Sequence, residues 1–224
     1  MSDPSTVHIL RVFTDVDGRH GNALGVVLDT AGMPDDRCQE IARDLAFSET
    51  VFVDDPARGA CRIFTPAVQL PFAGHPMVGT AWLLAHEGGG PDNLRPPAGA
   101  VRYGHDGDDW WVQAQVAWCP AWGLRQLASA AEVLAAAAPT DHAHDLVWAW
   151  ADRAEGAVRA RVFAADLGVV EDEATGSAAI PLAAHLGRRI VITQGVGSRL
   201  VAEPTGDGSA RVAGRVVLDG QRVL

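Results

Sequence analysis

The sequence predicts an α+β fold in which two similar halves each present one buried helix to a shared cleft. Three observations carry that expectation. Residues 72–84 (Phe-Ala-Gly-His-Pro-Met-Val-Gly-Thr-Ala-Trp-Leu-Leu) read as a tight turn feeding straight into a helix that is apolar on all sides, the pattern of a helix inside a core. About 100 residues later, residues 171–180 (Glu-Asp-Glu-Ala-Thr-Gly-Ser-Ala-Ala-Ile) repeat the design, with a helix running to about Leu186. Between these helices lie short runs of branched apolar residues bounded by Gly, Pro and Asp, which read as strands.

Taken in order, residues 7–13 form the first predicted strand, and Asp17-Gly18 with Gly21-Asn22 mark a loop. Leu24 to Leu28 is the second strand. Pro34-Asp35-Asp36 opens a helix with acids in its first turn; Ile41, Ala42 and Leu45 follow at helical spacing, and the helix should close near Ala46. Val51-Phe52-Val53 and Ala60 to Thr65 are strands, the latter stopped by Pro66. The buried helix is expected from Pro76, which suits the first helical position because its missing N–H would be unpaired there, to about Ala85. Gly88-Gly89-Gly90-Pro91 and Pro96-Pro97 frame a surface loop, and residues 110–114 read as a strand near the junction of the halves. Ser129-Ala130-Ala131-Glu132 matches a capping box for a helix ending by Pro139. Leu146 to Trp150, Val158 to Phe163, residues 190–192, 199–201 and 211–217 complete the strands.

Composition narrows the chemistry. The chain of 224 residues carries a net charge of −10, which argues against general nucleic-acid binding, since that needs a basic surface. No apolar run reaches the roughly 18 residues of a membrane span, and no signal peptide is evident at the N-terminus, so a cytoplasmic protein is expected. The sequence has no lysine, which excludes Schiff-base chemistry and a phosphate-loop lysine. A substrate carboxylate would then be held by Arg, His or backbone N–H groups. Cys38, Cys61 and Cys119 are widely spaced without a CxxC pair and fit neither a disulfide framework nor a zinc site; Cys38 and Cys61 read as small buried residues. His142 and His144 lie two apart without a third metal ligand. No metal and no cofactor are expected.

Each helix entrance offers free backbone N–H groups and a positive dipole end, a setting that attracts a carboxylate or phosphate. Acids at residues 171–173 could cap the second helix. Glu49 precedes a strongly apolar strand, so its carboxyl either starts a strand in solvent or sits at a sheet edge facing a dry cleft. In the second case burial raises its pKa toward neutrality, where one group can both accept and return a proton.

Gly74-His75-Pro76, residues 171–177 (Glu-Asp-Glu-Ala-Thr-Gly-Ser) and residues 47–52 (Phe-Ser-Glu-Thr-Val-Phe) together resemble the PhzF-like isomerase family of phenazine biosynthesis, of the diaminopimelate-epimerase fold. The three motifs stand in the family order, and the likeness runs from about Ile9 to Val217, weakest in the middle of the second half. The resemblance implies two lobes, residues 1–116 and 117–224, each a curved, mostly antiparallel sheet around a central helix, the second lobe shortened. It implies Glu49 as proton shuttle, with His75, Asp172 and Ser177 around the substrate. Asn22 and Ser48 would line the cleft, and backbone N–H groups at Gly74 and Gly176 would stabilise developing negative charge. The family's Gly-Asn-Pro has Ala23 in place of its proline. Where related racemases carry two cysteines, this chain has Ala73 and Ala174 or Thr175, so a two-thiol racemase is not expected.

The reading that follows is a cofactor-independent isomerase acting on a small carboxylate-bearing substrate. A lyase, hydratase or epimerase on an amino or hydroxy acid, or a non-catalytic small-molecule binding protein, remain the alternatives. A homodimer is expected from the resemblance. Trp118, Trp122, Trp148 and Trp150 suit either its interface or the core, and Arg199 suits either the cleft or an acid partner.

Overall fold

The computed structural model describes residues 6–139, 144–165 and 169–224. Fourteen strands and four α-helices build it: β1 Thr6–Thr14, β2 Asn22–Val27, α1 Asp35–Leu45, β3 Glu49–Asp55, β4 Ala60–Phe64, β5 Gln69–Leu70, α2 Gly74–Gly88, β6 Arg102–Asp106 and β7 Asp109–Gln115. There follow β8 Gly123–Gln126, α3 Ala130–Ala135, β9 Asp145–Asp152, β10 Ala157–Ala164, β11 Val169–Asp172, α4 Gly176–Leu186, β12 Ile190–Gln194, β13 Ser198–Pro204 and β14 Ser209–Val223. The strands form one sheet in the order β5-β4-β3-β2-β1-β14-β13-β12-β10-β9-β8, with β11 on β10, β7 on β14 and β6 on β7. Pairing is antiparallel except for β2–β3, β10–β12 and β8–β9.

This is an α+β architecture in which one long, mostly antiparallel sheet wraps around two apolar helices, α2 and α4. Met77, Val78, Ala81, Leu83 and Leu84 of α2, and Ala178, Ala179, Ile180, Leu182 and Ala183 of α4, join the same buried cluster as Leu10, Val12, Leu24, Ala160, Leu200 and Val212. α1 is amphipathic instead: its Cys38, Ile41, Ala42 and Leu45 pack on Val7, Val27, Phe52 and Phe64 on the other sheet face. Truncating Ile41 to Ala in that small cluster would cost about 2–5 kcal/mol.

β14 links the strands of the first half of the chain to those of the second. Its first residues, Ser209 to Arg215, pair with β7, and Ala210 to Ala213 also pair with β13. The register with β1 then runs from Arg215↔Thr14 to Val223↔Thr6.

Several expectations shift in detail. α2 begins at Gly74, two residues before Pro76, and runs on to Gly88; Pro76 still lies in the first turn, where its missing N–H costs nothing. Ser129 caps α3 by accepting from the Glu132 N–H, but Glu132 accepts from the Ala128 N–H and not from Ser129, so the capping box closes one residue early. The acids before α4 do not cap it. Thr175 stands at the N-cap without a side-chain cap bond, and the three acids turn elsewhere. Position 23 is held by strand pairing, Ala23 facing Arg11, so the ladder restrains the place where the family has proline. Trp148 is fully buried, and Trp118, Trp122 and Trp150 pack half-buried against the main core. His142 lies outside the described residues. Among the described residues no helix is long and apolar enough to cross a membrane.

Candidate active site

The two helix entrances meet. A Cβ built on Gly74 would lie 2.7 Å from the Gly176 Cα and 2.9 Å from the Ser177 nitrogen, and one built on Gly176 would lie 2.9 Å from the Gly74 Cα and 3.0 Å from the His75 nitrogen. No side chain fits there, so glycine at both positions is a packing requirement. First-turn N–H groups have no partner within their own helix. Those of Gly74, His75, Gly176 and Ser177 therefore gather where two helix dipoles present their positive ends, a cradle for an anion.

Glu49 opens β3, level with Leu24 of the parallel strand β2. α1 ends with Ala46 in the left-handed conformation, and the chain then returns through Ser48 into the sheet. The strand beyond Glu49 is buried from Thr50 to Val53, which puts its carboxyl beneath the α2 entrance with only 13% of the side chain accessible. Its Oε2 stands 3.4 Å from His75 Nε2, and neither atom has a hydrogen-bond partner among the described residues. Burial, and secondarily the charge of Asp172, push the Glu49 carboxyl up to about 8, against a smaller pull from the Ser48 hydroxyl. Burial pushes His75 down to about 3, opposed by the backbone of Ala23. The imidazole is therefore neutral. Since Nε2 faces Glu49, Nδ1 is the nitrogen left for Ala23, and Nε2 offers a lone pair to the glutamic acid.

Asp172 ends β11. Its Oδ1 accepts from Asn22 Nδ2 at 2.7 Å and its Oδ2 from Thr175 Oγ1 at 2.6 Å. Burial raises its carboxyl above the usual range while these two donors pull it back. The neighbouring acids go elsewhere because successive strand side chains alternate in direction. Glu171 makes a two-pronged pair with Arg161, both contacts 2.7 Å, and Glu173 accepts from the Val196 N–H and from Ser198 Oγ at 2.7 Å. Of three consecutive acids, one enters the site.

Asn22, at the start of β2, also donates to the Ala174 carbonyl at 3.2 Å and accepts from Ser48 Oγ at 3.0 Å. Gly21 N–H donates to Ser198 Oγ, so these two adjacent residues make three hydrogen bonds to the second half of the chain. All eight residues singled out from the sequence (Asn22, Ser48, Glu49, Gly74, His75, Asp172, Gly176 and Ser177) thus come together. Arg199 does not join them; its guanidinium pairs with Asp109 at 3.0 Å.

Gln194 and Thr175, not among the site residues read from the sequence, complete the second entrance. Gln194, 1% exposed at the end of β12, donates through Nε2 to the Asp172 carbonyl at 2.9 Å and to Thr175 Oγ1 at 3.0 Å, and accepts from the Thr175 N–H at 3.2 Å. Because Gln194 supplies a hydrogen to Thr175 Oγ1, the threonine hydrogen is directed onto Asp172. The available signal was the Gln194-Gly195 pair, an amide beside a turn after an apolar strand.

The chain matches the family described as phenazine biosynthesis-like protein, PhzC-PhzF, over residues 10–151 and 134–203. It belongs to that family. A trans-2,3-dihydro-3-hydroxyanthranilate isomerase of Pseudomonas aeruginosa is 31% identical, the match covering 88% of this chain and 94% of the relative. Among solved structures, a protein described as a predicted epimerase from Pseudomonas aeruginosa superposes with a TM-score of 0.76 at 28% identity, covering 99% of each chain. One described as a probable proline racemase from Agrobacterium radiobacter reaches 0.64 at 14% identity, covering 98% of this chain and 92% of that one, a likeness of fold alone. The PhzF-like chain therefore has the diaminopimelate-epimerase fold, and the general class of activity that accompanies its relatives is isomerisation or epimerisation. Among the described residues no group of three or more His, Cys, Asp or Glu side chains could hold a metal ion.

Proposed function

We propose that this PhzF-like protein is a cofactor-independent isomerase in which Glu49 alone moves the proton on a small carboxylate-bearing substrate. The observation that carries the reading is the Glu49 carboxyl, buried beneath the joined helix entrances and raised to about 8 beside a neutral imidazole. A group titrating near neutrality can take a proton from carbon and return it to another carbon on the same face. The N–H groups at Gly74-His75 and Gly176-Ser177 would hold the substrate carboxylate or the enolate-like charge that develops, and a donor of this kind is worth about 3 kcal/mol in the barrier. His75, neutral and 3.4 Å away, keeps the carboxyl oriented.

Asp172 serves as a fixed negative group that can steer a substrate amine. Both its oxygens already accept hydrogen bonds, which suits a fixed charge better than a second, opposing base, and supports a proton shift over inversion. The hydroxyanthranilate-type ring acid in the name of the Pseudomonas aeruginosa relative is the first substrate class to try. We also infer residues 1–116 and 117–224 as the two functional lobes, a homodimer, and a cytoplasmic location.

The test is Glu49→Gln, assayed for deuterium uptake from solvent into candidate ring and aliphatic amino acids. The substitution should lower exchange by about 10²–10⁴-fold with the fold intact by circular dichroism. Undiminished exchange would remove Glu49 from the mechanism.

A further inference from the structure

We infer that the turn between β12 and β13 is a clamp that holds Asn22 on Asp172, with Ser198 and Glu173 as its positioning residues. The inference deepens the reading of Asp172 as the fixed group that steers a substrate amine, and rests on that reading for its catalytic meaning.

Counting hydrogens gives the clamp its direction. Ser198 is fully buried, and its hydroxyl has a single hydrogen. The Gly21 N–H can only donate, and it reaches Ser198 Oγ at 2.9 Å. The Ser198 hydrogen therefore goes to Glu173 Oε1, 2.7 Å away, whose carboxylate can only accept. The same Glu173 oxygen accepts from the Val196 N–H at 3.0 Å, and the Arg159 guanidinium donates to the Gly195 carbonyl. The turn is thus folded around one carboxylate, and a Cβ on Gly195 would run straight into it. A Cβ on Gly197 would lie 2.7 Å from His20 Cδ2, so the chain leading into Gly21 packs against the same turn.

What the clamp holds is the next residue. Asn22 donates to Asp172 Oδ1 at 2.7 Å and to the Ala174 carbonyl at 3.2 Å. Asp172, Glu173 and Ala174 are therefore gripped in succession, the outer two by Asn22 and the middle one by Ser198. Since Ser198 also takes the Gly21 N–H, the bonds close a ring through Gly21, Ser198, Glu173, Asp172 and Asn22. Gln194, at the other foot of the turn, binds the Asp172 carbonyl and Thr175 Oγ1, so both feet bear on the Asp172 segment. Glu49 and His75 lie outside this ring, on β3 and α2. Opening the clamp should loosen Asn22, and with it the carboxylate that meets the substrate, while the proton-carrying side stays in place.

The experiment follows hydrogen exchange by NMR in the full ¹⁵N-labelled chain, at the Gly21 amide and the Asn22 side-chain amide. The Asn22 signals are assigned by their loss in Asn22→Ala. Ser198→Ala should speed exchange at both groups roughly tenfold, the worth of about one hydrogen bond, while the amides of β2 beyond Leu24 keep their rates. If Ser198→Ala does not fold, Glu173→Ala opens the same ring from its other end and should accelerate the same two groups. Unchanged exchange at Asn22 would overturn the clamp, and so would an acceleration shared by the whole of β2, which is a general loss of stability. With a substrate found by deuterium uptake, Ser198→Ala should raise KM roughly tenfold and leave kcat within about twofold. A fall in kcat at unchanged KM would overturn the assignment to the binding side. The exchange measurement needs no substrate. Faster Asn22 exchange in a protein without isomerase activity would condemn the acid/base reading and spare the clamp, whereas activity with Asn22 exchange unmoved would do the reverse.

Discussion

The two helix entrances share a design and differ in tension. The first, at Gly74-His75, holds two buried polar atoms, Glu49 Oε2 and His75 Nε2, that face each other at 3.4 Å without a proper hydrogen bond. The second, at Gly176-Ser177, is closed: Asp172, Thr175, Gln194 and Asn22 saturate one another. A buried polar group left unmatched is costly, so the first entrance stores unused bonding capacity and the second does not. The difference teaches that two similar helix entrances in one sheet can be finished differently, one with facing polar atoms left unpaired and the other with its polar groups bonded to one another.

The symmetric part of the comparison is the glycine pair, and breaking it should have the largest effect on the fold. Gly74→Ala and Gly176→Ala each drive a methyl into backbone at 2.7 Å and 2.9 Å. Each should destabilise by about 1–3 kcal/mol, read by urea denaturation, and separate the donor cradle enough to abolish binding of small carboxylates in a thermal-shift assay. Stability indistinguishable from wild type would mean that the entrances do not meet as described.

The locked side can be broken alone. Gln194→Ala leaves the Thr175 N–H and the Asp172 carbonyl without their partner, for about 1–3 kcal/mol, again by urea melt. Thr175 Oγ1 then loses the donor that directs its own hydrogen onto Asp172, so the variant should also lose substrate affinity. A neutral Gln194→Ala would make the second entrance as loose as the first.

The contrast sharpens through pH. Glu49 binds its proton more tightly folded than unfolded, shifted from 4.5 to about 8. Its contribution to stability is thus complete below pH 4.5 and lost as pH rises to about 8. His75 moves the other way, from 6.5 to about 3, so its contribution is complete above 6.5 and lost as pH falls toward 3. Together they give a plateau between pH 4.5 and 6.5, with stability declining on both sides. Melting curves across pH should lose the alkaline limb in Glu49→Gln and the acid limb in His75→Gln. Limbs that survive both substitutions would place the titration elsewhere.

Much of this was legible in the linear chain because the informative features are local. A glycine ahead of an apolar run marks each entrance, and an acid at the head of the apolar strand 50–53 marks Glu49. Residue pattern alone does not say which of Glu171, Asp172 and Glu173 turns inward, since that depends on which face of β11 meets the cleft; Asp172 is singled out only through the family resemblance. The pairing of Arg199 with Asp109 spans ninety residues, and the bonds from Gln194 to Asp172 and Thr175 span about twenty. Neither leaves a trace in spacing, since each arises from sheet register. The start of α2 lies two residues ahead of the proline, because Gly74 and His75 already take helical angles there.

β14 carries a consequence for how the protein is made. β1 lies between β2 and β14, and its pairing Thr6↔Val223 joins residues more than two hundred positions apart. During translation one edge of β1 stays open until β14 has been made, and sheet edges in that condition invite pairing with other chains. Contacts this distant along the backbone also slow folding. Nascent protein should therefore depend on chaperones until β14 emerges and covers the edge of β1.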